Sequence, residues 1–271
     1  MNSKVDFKAR AKQHLAAAKE ELSSGDERRL KYAALEIRMA MEAVTYERAQ
    51  AYIKDIPPEV YETWQPKKLM LFLLEADPYA DQSSTLSVGI EKEYGVEAKE
   101  MKTLGTEHIL SLAEIKKNYD AIGSYLHMPT YKQLQEAKQN LSSLKDRCEK
   151  IIEKLEKVIN SKIHNIKFTV FSEVHCVRCE HLIKKNIAHL KKLDTIEAKC
   201  LGCGATYLVE NADNDQIKWK PKKSLFNCIN KECNEENSIW NDELKPGTII
   251  QCKACNANNE IALSVVLRST V

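Results

Sequence analysis

The sequence predicts a multidomain α+β protein, with an N-terminal α-helical bundle, a long helix and two small β-rich domains in that order. Three observations support this prediction. Apolar residues recur at helical spacing in residues 4–54. A heptad pattern runs through residues 131–163. Eight of the nine cysteines lie after residue 175, in pairs flanked by β-branched and aromatic segments. The predicted domain bounds are 1–130, 131–164, 165–212 and 213–271.

The composition indicates a folded protein without a global charge bias. The 271 residues are 43% hydrophobic and carry 41 Lys plus Arg against 39 Asp plus Glu, a formal net charge of +2. This balance gives no overall attraction to nucleic acid or to an anionic membrane, so any such contact is expected to be local. The N-terminus lacks the apolar core of a signal peptide, and no uncharged apolar segment reaches about 18 residues. We therefore expect a soluble cytoplasmic protein without membrane contact.

The helical half is divided by turn and proline signals. The segment SSGDERR precedes an amphipathic helix, with Asp26 as the predicted N-cap and Ser24 as the alternative. The prolines of residues 56–58 are expected to end this helix. PKKLMLFLLEAD predicts a further helix or a buried turn, and residues 77–106 predict a loop-rich connection. Residues 107–128 again have a helical pattern, which Pro129 closes.

The long helix carries an apolar seam with alternating steps of three and four residues. Two interpretations remain open: a coiled-coil stalk joining two chains, or a helix laid along the bundle. Cys148 lies on this seam and is predicted to be a small buried residue rather than a reactive thiol. The seam consists of Leu134, Ala137, Leu141, Leu144, Cys148, Ile151, Leu155 and Val158.

The other eight cysteines form two sets with metal-ligand spacing. In a reducing cytoplasm such pairs favour a metal over disulfides. Four thiolates around one ion leave no open position for water or substrate, so we predict two structural Zn²⁺ ions per chain. A redox pair and an iron–sulfur cluster are the alternatives, and His175 and His181 could replace a cysteine ligand. The predicted ligands are Cys176, Cys179, Cys200 and Cys203 in the first set, and Cys228, Cys233, Cys252 and Cys255 in the second.

The segments around these pairs predict β-hairpins. IKFTVF, TIEAKC and ATYLV surround the first set, and KSLFNC, TIIQC and IALSVVL surround the second. Gly202 and Gly204 flank Cys203, where a metal-binding turn needs backbone freedom, and Asn256 after Cys255 can also adopt a left-handed backbone. Residues 166–268 therefore resemble two zinc ribbons, a family whose members mostly bind nucleic acid or proteins.

Lysines cluster within and between the predicted ribbons. Interleaved with an aromatic residue, they could contact phosphates while the ring stacks on an exposed base. The alternative is a solvated face and a linker. The candidate nucleic-acid-binding residues are Lys184, Lys185, Lys191, Lys192, Lys218, Trp219, Lys220, Lys222 and Lys223.

Two helical segments, ALEIRMAMEAVTYERAQAY and IKKNYDAIGSYLHMPT, resemble HEPN domains, which are α-helical bundles that often dimerise and often act as metal-independent RNases. The resemblance covers residues 4–163. It implies a catalytic pair in which four to six residues separate an arginine from a following histidine, with the motifs of two chains meeting in a dimer. His127 matches the histidine, but positions 120–122 contain no arginine.

Arg38 is the candidate replacement for the missing arginine, with Asn118 and Asp120 as polar neighbours of His127. A histidine can take the proton of a ribose 2'-hydroxyl while a cation stabilises the charged phosphorane. The alternative is that Arg38 and Glu42, four residues apart, form a structural ion pair and that His127 caps a helix end.

Two functional classes follow. The first is a zinc-ribbon nucleic-acid-binding protein, with RNA favoured, whose helical domain is an RNase of a bacterial defence or toxin system as the HEPN resemblance implies. The second is a non-catalytic dimeric adaptor whose ribbons dock a nucleic acid or a protein. A homodimer is expected in both classes. The sequence contains no phosphate-binding loop and no His-Glu-x-x-His motif that would indicate a third class.

Overall fold

The chain forms two compact units, a helical unit (Met1–Phe168) and a ribbon unit (Thr169–Val271). The α+β class predicted from the sequence is confirmed, with helices in the first unit and small antiparallel sheets in the second. Within the described ranges, no helix has both the length and the apolar composition needed to span a membrane. The computed structural model describes residues 5–62, 65–90, 92, 98–128, 131, 141–167, 170–191, 193–212 and 216–264.

The bundle begins with a helical hairpin. α1 (Phe7–Ser23) is capped by Asp6, whose carboxylate accepts from the Ala9 N–H at 2.7 Å. Asp26 is a cap, as predicted, but it caps a 3-10 turn (Glu27–Arg29) that leads directly into α2 (Leu30–Gln50). Small buried alanines of α1 and α2 face the core, which allows the two helices to pack closely.

The middle of the helical unit differs from the sequence prediction. α2 ends at Gln50, before the prolines, and is followed by α3 (Pro58–Tyr61) and α4 (Pro66–Ala76). The predicted loop-rich connection contains a β-hairpin of β1 (Ser84–Val88) and β2 (Lys102–Glu107). Its strands are mostly exposed and are joined by polar pairs such as the hydroxyls of Thr85 and Thr106, 2.9 Å apart. Because no face of this hairpin is fully apolar, the alternation that signals a strand is weak.

α5 (Leu112–Gly123) is shorter than the predicted helix. Ser111 and Glu114 form a capping box, in which each side chain accepts from the other residue's backbone N–H. This cap fixes the first turn five residues later than the pattern indicated. A turn follows Gly123, and Pro129 lies outside the described residues.

α6 (Leu141–Ile159) lies in the segment predicted as a long helix, and it packs along the bundle. Its seam residues Leu144, Cys148, Ile151 and Leu155 are buried, and the helix packs against α1, α2 and α5. Cys148 is fully buried, as predicted, and this burial raises the pKa of its thiol to about 11, which disfavours the reactive thiolate. Leu134 and Ala137 lie outside the described residues.

A buried polar network joins distant parts of the helical unit. Arg48 lies 3.6 Å from Glu107 and donates to the Tyr52 hydroxyl at 3.1 Å. Tyr52 donates to Asp77 at 2.7 Å, and burial, reinforced by this carboxylate, raises the pKa of Tyr52. Glu107 accepts from the backbone N–H of Ile166 at 3.1 Å. The network connects the C-terminal end of the helical unit to α2. Removal of one charged partner would leave the other charge buried and unpaired, so the network is expected to be important for stability.

The ribbon unit is built from short antiparallel strands. β3 pairs with β4, β6 lies between β5 and β7, β8 pairs with β9, and β10 pairs with β11. β4, β7 and β9 were not predicted. β3 begins only at the last residue of the predicted segment IKFTVF, and the last strand precedes the IALSVVL segment instead of including it. In chain order the bounds are β3 (Phe171–His175), β4 (Leu182–Asn186), β5 (Thr195–Lys199), β6 (Thr206–Asn211), β7 (Ile217–Pro221), β8 (Lys223–Asn227), β9 (Glu236–Trp240), β10 (Ile249–Gln251) and β11 (Asn258–Glu260).

Candidate metal centres

Each cysteine pair lies in the turn of a hairpin or directly beside it. In the first ribbon, the turn between β3 and β4 carries Cys176 and Cys179, and the turn between β5 and β6 carries Cys200 and Cys203. The second ribbon repeats this arrangement between β8 and β9 and between β10 and β11. Antiparallel pairing therefore brings both sulfurs of each pair to the same end of a hairpin.

The sulfur positions fit tetrahedral zinc in both ribbons. In the first set, the Sγ atoms of Cys176 and Cys203 are 3.7 Å apart, and those of Cys179 and Cys200 are 3.6 Å apart. The corresponding distances in the second set are both 3.7 Å, and all four sulfurs of each set lie within 4.8 Å of one another. Sulfurs at about 2.3 Å from one tetrahedral ion are about 3.8 Å apart, whereas a disulfide needs about 2.05 Å. The two clusters thus fit two structural zinc sites.

The turns share one backbone feature. Glu180, Gly204, Asn234 and Asn256 each directly follow the second cysteine of a pair, and each has a positive φ, between 54° and 82°. This conformation allows the Gly204 N–H to donate to the Cys200 carbonyl oxygen, with an N–O distance of 2.9 Å, and the hydrogen bond closes the turn around the metal position. Glycine and asparagine tolerate this region best. The left-handed conformation is confirmed at Gly204 and Asn256, whereas Gly202 has no positive φ, and Glu180 and Asn234 were missed.

The pKa is lowered for one thiol of the first set, Cys176, and for two thiols of the second set, Cys252 and Cys255. Burial opposes ionisation of Cys176, but the Tyr207 hydroxyl and two backbone N–H groups outweigh it and lower its pKa to about 6. Hydrogen bonds from the Cys255 N–H and the Asn237 amide lower the pKa of Cys252 to about 6. Burial and the neighbouring thiols raise the pKa of Cys203 to about 12. Zinc must displace the remaining protons, so its affinity falls as the pH decreases.

Tyr207 and Asn259, which sequence reasoning missed, support the two centres in matching positions. The Tyr207 hydroxyl donates to Cys176 Sγ at 3.3 Å and accepts from the Val177 N–H at 3.0 Å. The Asn259 side-chain oxygen accepts from the Ile229 N–H at 2.9 Å. In both ribbons the supporting side chain satisfies the N–H directly after the first cysteine. The shared offset of 30 residues between donor and acceptor is a signal that a comparison of the two ribbon sequences could have found.

The flanking histidines have other contacts. His175 Nδ1 lies 3.0 Å from the Glu180 carbonyl oxygen. The His181 ring packs on Gly202, where an added Cβ would lie 3.1 Å from its Cγ. The cysteine-only ligand sets therefore need no histidine.

The two ribbons contact each other beside the first centre. Arg178 donates to Asp242 at 3.0 Å and forms an ion pair with Glu243 at 2.6 Å. The Trp240 ring packs against Tyr207 with a centroid separation of 5.6 Å. The second ribbon thus covers part of the first ribbon's core.

Most of the described candidate lysines have partners within the ribbon unit. Lys184 pairs with Glu173 at 3.4 Å, Lys220 with Glu210, and Lys222 with Glu197. Lys223 lies 4.8 Å from the centre of the Trp240 ring, and Lys185 is buried. Lys192 and the side chain of Lys191 lie outside the described residues. Lys218 is exposed, and it has no ion pair with another residue that the structure describes.

The position of Trp219 differs from the expectation of an exposed stacking surface. Its ring packs against the first ribbon's core and meets Tyr207 edge-on at 6.1 Å. Its Nε1 donates to the Ser172 hydroxyl at 3.0 Å. Because side chains alternate along a strand, Lys218 and Lys220 of β7 face away from this core.

The four candidate catalytic residues do not meet in one cluster of described contacts. The Arg38 guanidinium lies over the Tyr119 ring at 4.0 Å, and Tyr119 donates to Glu42 at 2.6 Å. Asp120 accepts from Lys67 of α4 at 2.8 Å. Asn118 is buried beside α6, and His127 is exposed after the end of α5. A direct ion pair between Arg38 and Glu42 is not among the contacts of the described chain; Tyr119 lies between them.

Comparison with known proteins gives no relative for either unit. No protein-family model, no curated protein and no solved structure matches the chain.

Proposed function

We propose that the protein binds RNA, and that the outer face of the β5–β6–β7 sheet is the contact surface. Residues 169–271 carry 14 Lys plus Arg against 13 Asp plus Glu, and each tetrathiolate zinc centre adds about two negative charges. The ribbon unit as a whole is therefore not basic. Attraction to a phosphate backbone must come from a local group of lysines.

The outer face supplies such a group. It carries Lys199, Lys218 and Lys220, together with Glu197 and Glu210, opposite the face that packs on the core. The carboxylates are engaged by Lys222 and Lys220. Lys199 and Lys218 have no ion pair with another described residue, and these two free cations are the observation that carries the proposal. Because exposed ion pairs are weak, Lys220 and Lys222 can leave their carboxylates and bind a phosphate instead.

The test is fluorescence anisotropy of a labelled single-stranded RNA, with the double variant Lys199→Gln/Lys218→Gln. Affinity should fall, and the salt dependence should flatten by about 0.7 for each phosphate contact removed. Lys231→Gln/Lys253→Gln is the matched control, because it removes the same charge from exposed turns of the second ribbon. Equal losses in both variants would refute the outer face. An absence of RNA binding by the parent protein would instead favour the adaptor that docks a protein.

RNA cleavage by a HEPN-like helical unit is the second candidate, and the position of Arg38 favours it. A Cβ on Gly123 would lie 2.9 Å from Arg38 Nη1, so the guanidinium is at the C-terminal end of α5. His127 follows four residues later and is exposed. A general base and a cation at the same end of the bundle are the groups that metal-free cleavage requires.

Cleavage is tested with end-labelled RNA and the variants His127→Ala and Arg38→Lys. We expect products from the parent only, with unchanged RNA affinity in His127→Ala. A parallel loss of affinity and thermal stability would assign His127 to structure.

The same proposal includes a homodimer formed by the helical unit. Tyr32, Leu35 and Met39 form an apolar stripe on α2, and each side chain is at least 40% exposed. A second copy would cover this stripe. Leu35→Glu should convert the protein to monomers in sedimentation velocity; a parent that is already monomeric would contradict the dimer.

A further inference from the structure

A cleft between α5 and α6 lies within the helical unit. Its volume is about 510 Å³. The α6 residues of its wall occupy positions 143, 146, 147, 150, 151 and 154, and this recurrence every three or four residues places them on one side of the helix. We call it the α5–α6 cleft. Its polar lining consists of Glu114, Lys117, Asn118, Ser143, Asp146, Arg147, Lys150 and Lys154.

The cleft has an excess of positive charge. Lys154 is paired with Glu114, whose carboxylate also accepts from the Ser111 N–H at 3.0 Å. Lys117, Arg147 and Lys150 form no ion pair with any residue of the described chain. Three cations therefore face a cleft whose remaining acidic group is Asp146. Such an arrangement attracts an anion, and the enclosing walls strengthen the attraction.

Asn118 gives a second, independent indication of a ligand. It is only 8% exposed and lines the cleft. Its side-chain amide makes no hydrogen bond within the described residues. The fully buried side-chain atoms without a partner are Thr206 Oγ1 and Asp242 Oδ1 among the described residues, so the Asn118 amide still has access to solvent in the cleft, where a ligand can reach it. The amide NH₂ can donate to an anionic oxygen.

We propose that the α5–α6 cleft binds a phosphate group, either of a small phosphorylated ligand or of an RNA backbone. Lys117, Arg147 and Lys150 neutralise the charge, and Asn118 donates to a phosphate oxygen. At the rim, the Ser143 hydroxyl lies 3.1 Å from the Tyr125 hydroxyl, two residues before His127. An RNA strand held in the cleft would thus reach the turn that carries His127. The cleft does not rest on the ribbon face, and either site can fail without the other.

The test uses the full chain with two probes, inorganic pyrophosphate in calorimetry and single-stranded RNA in anisotropy. The cleft variant is Lys117→Gln/Lys150→Gln. Its matched control, Lys116→Gln/Lys145→Gln, removes the same charge from the same two helices, at exposed positions that do not line the cleft. We expect affinity to fall by about tenfold or more in the cleft variant, because charged hydrogen bonds are lost. The control should stay close to the parent.

The two probes distinguish the sources of the phosphate. Weaker binding of both probes supports an RNA backbone in the cleft, and weaker binding of pyrophosphate alone supports a small phosphorylated ligand. Failure of the parent to bind either probe, or equal losses in the cleft variant and its control, would overturn the proposal.

Asn118→Leu provides an independent test that does not change the charge. Removal of an unpaired amide should leave the thermal midpoint unchanged or raise it, while phosphate binding weakens. A lower midpoint with unchanged binding would show that Asn118 belongs to the core, which contradicts its assigned role.

Discussion

The first ribbon has an apolar core beside its cysteines, whereas the second ribbon surrounds its cysteines mainly with polar groups. Tyr207 and Val209 are fully buried in the first ribbon, together with the half-buried Trp219 of a third strand. In residues 223–264 the buried side chains other than cysteine are Asn237, Ile239 and Asn259. The two thiolate cages are alike, but the structure around them is not.

This difference indicates that zinc carries a larger share of the stability in the second ribbon. A buried aromatic side chain removes about 150–250 Å² of surface from water, and a small domain without such burial depends on its metal. Asn259 reproduces the hydrogen bond of Tyr207 but not its apolar contacts. The same ligand geometry can therefore be reached with or without a side-chain core.

The largest effect is expected from removal of one ligand in each ribbon. Cys252→Ser should unfold the second ribbon, because structural zinc binding supplies about 10–16 kcal/mol. Cys200→Ser should remove protection around the cysteines of the first ribbon, whose apolar core keeps part of the β5–β6–β7 sheet folded. Hydrogen exchange should show the lost protection in the ribbon that carries the change and intact protection in the helical unit. Loss of protection throughout the chain would contradict the independence of the two units.

A graded chelator titration tests which ribbon depends more on its metal. The second ribbon should lose exchange protection first, and the β5–β6–β7 sheet should keep part of its protection after its zinc has left. The reason is the apolar core, which remains when the metal is removed. Simultaneous loss, or loss in the reverse order, would show that the core does not stabilise the first ribbon.

A smaller effect is expected from the side chains that support the ligands. Tyr207→Phe removes the donor to Cys176 and leaves the Val177 N–H without its partner. Asn259→Ala removes the acceptor for the Ile229 N–H. Each should weaken zinc binding in its own ribbon by about 10–100-fold, measured by competition with a chromogenic chelator. Unchanged affinity in both variants would refute the supporting role.

The smallest effect concerns the contact between the ribbons. Arg178→Ala removes partly exposed ion pairs to Asp242 and Glu243, which are worth less than about 1 kcal/mol. The loss of stability caused by Arg178→Ala should be smaller still in high salt, because salt screens exposed ion pairs. The change in stability is measured by thermal unfolding, monitored by tryptophan fluorescence. A large loss of stability that does not depend on salt would mean that Arg178 acts through packing.

The features that follow a short-range pattern were predictable. Spacing identified both cysteine sets, and helical periodicity identified α2 and the buried seam that contains Cys148. Asn118 and Asp120 were placed together in one catalytic group. They are two positions apart on a helix, however, and side chains at this separation point in directions that differ by about 200°. In the structure they contact different neighbours, α6 and α4.

The features that depend on strand register were not predictable. β7 was read as a lysine-rich linker, because its lysines obscure the alternating Ile217 and Trp219. The pairing of β7 with β6 places Lys218 directly opposite Glu210, and the ion pair of Glu210 is formed with Lys220, its diagonal neighbour. The cationic α5–α6 cleft was missed for a related reason: its two walls lie on separate helices, whose facing sides the sequence does not specify.

The metal content of the purified protein tests the central claim most directly. Native mass spectrometry of the parent and of Cys200→Ser, Cys252→Ser and the double variant counts the ions bound by each chain. We predict two zinc ions in the parent, one in each single variant and none in the double variant. Iron in the parent, disulfides in place of metal, or the loss of both ions from each single variant would contradict two independent structural zinc sites.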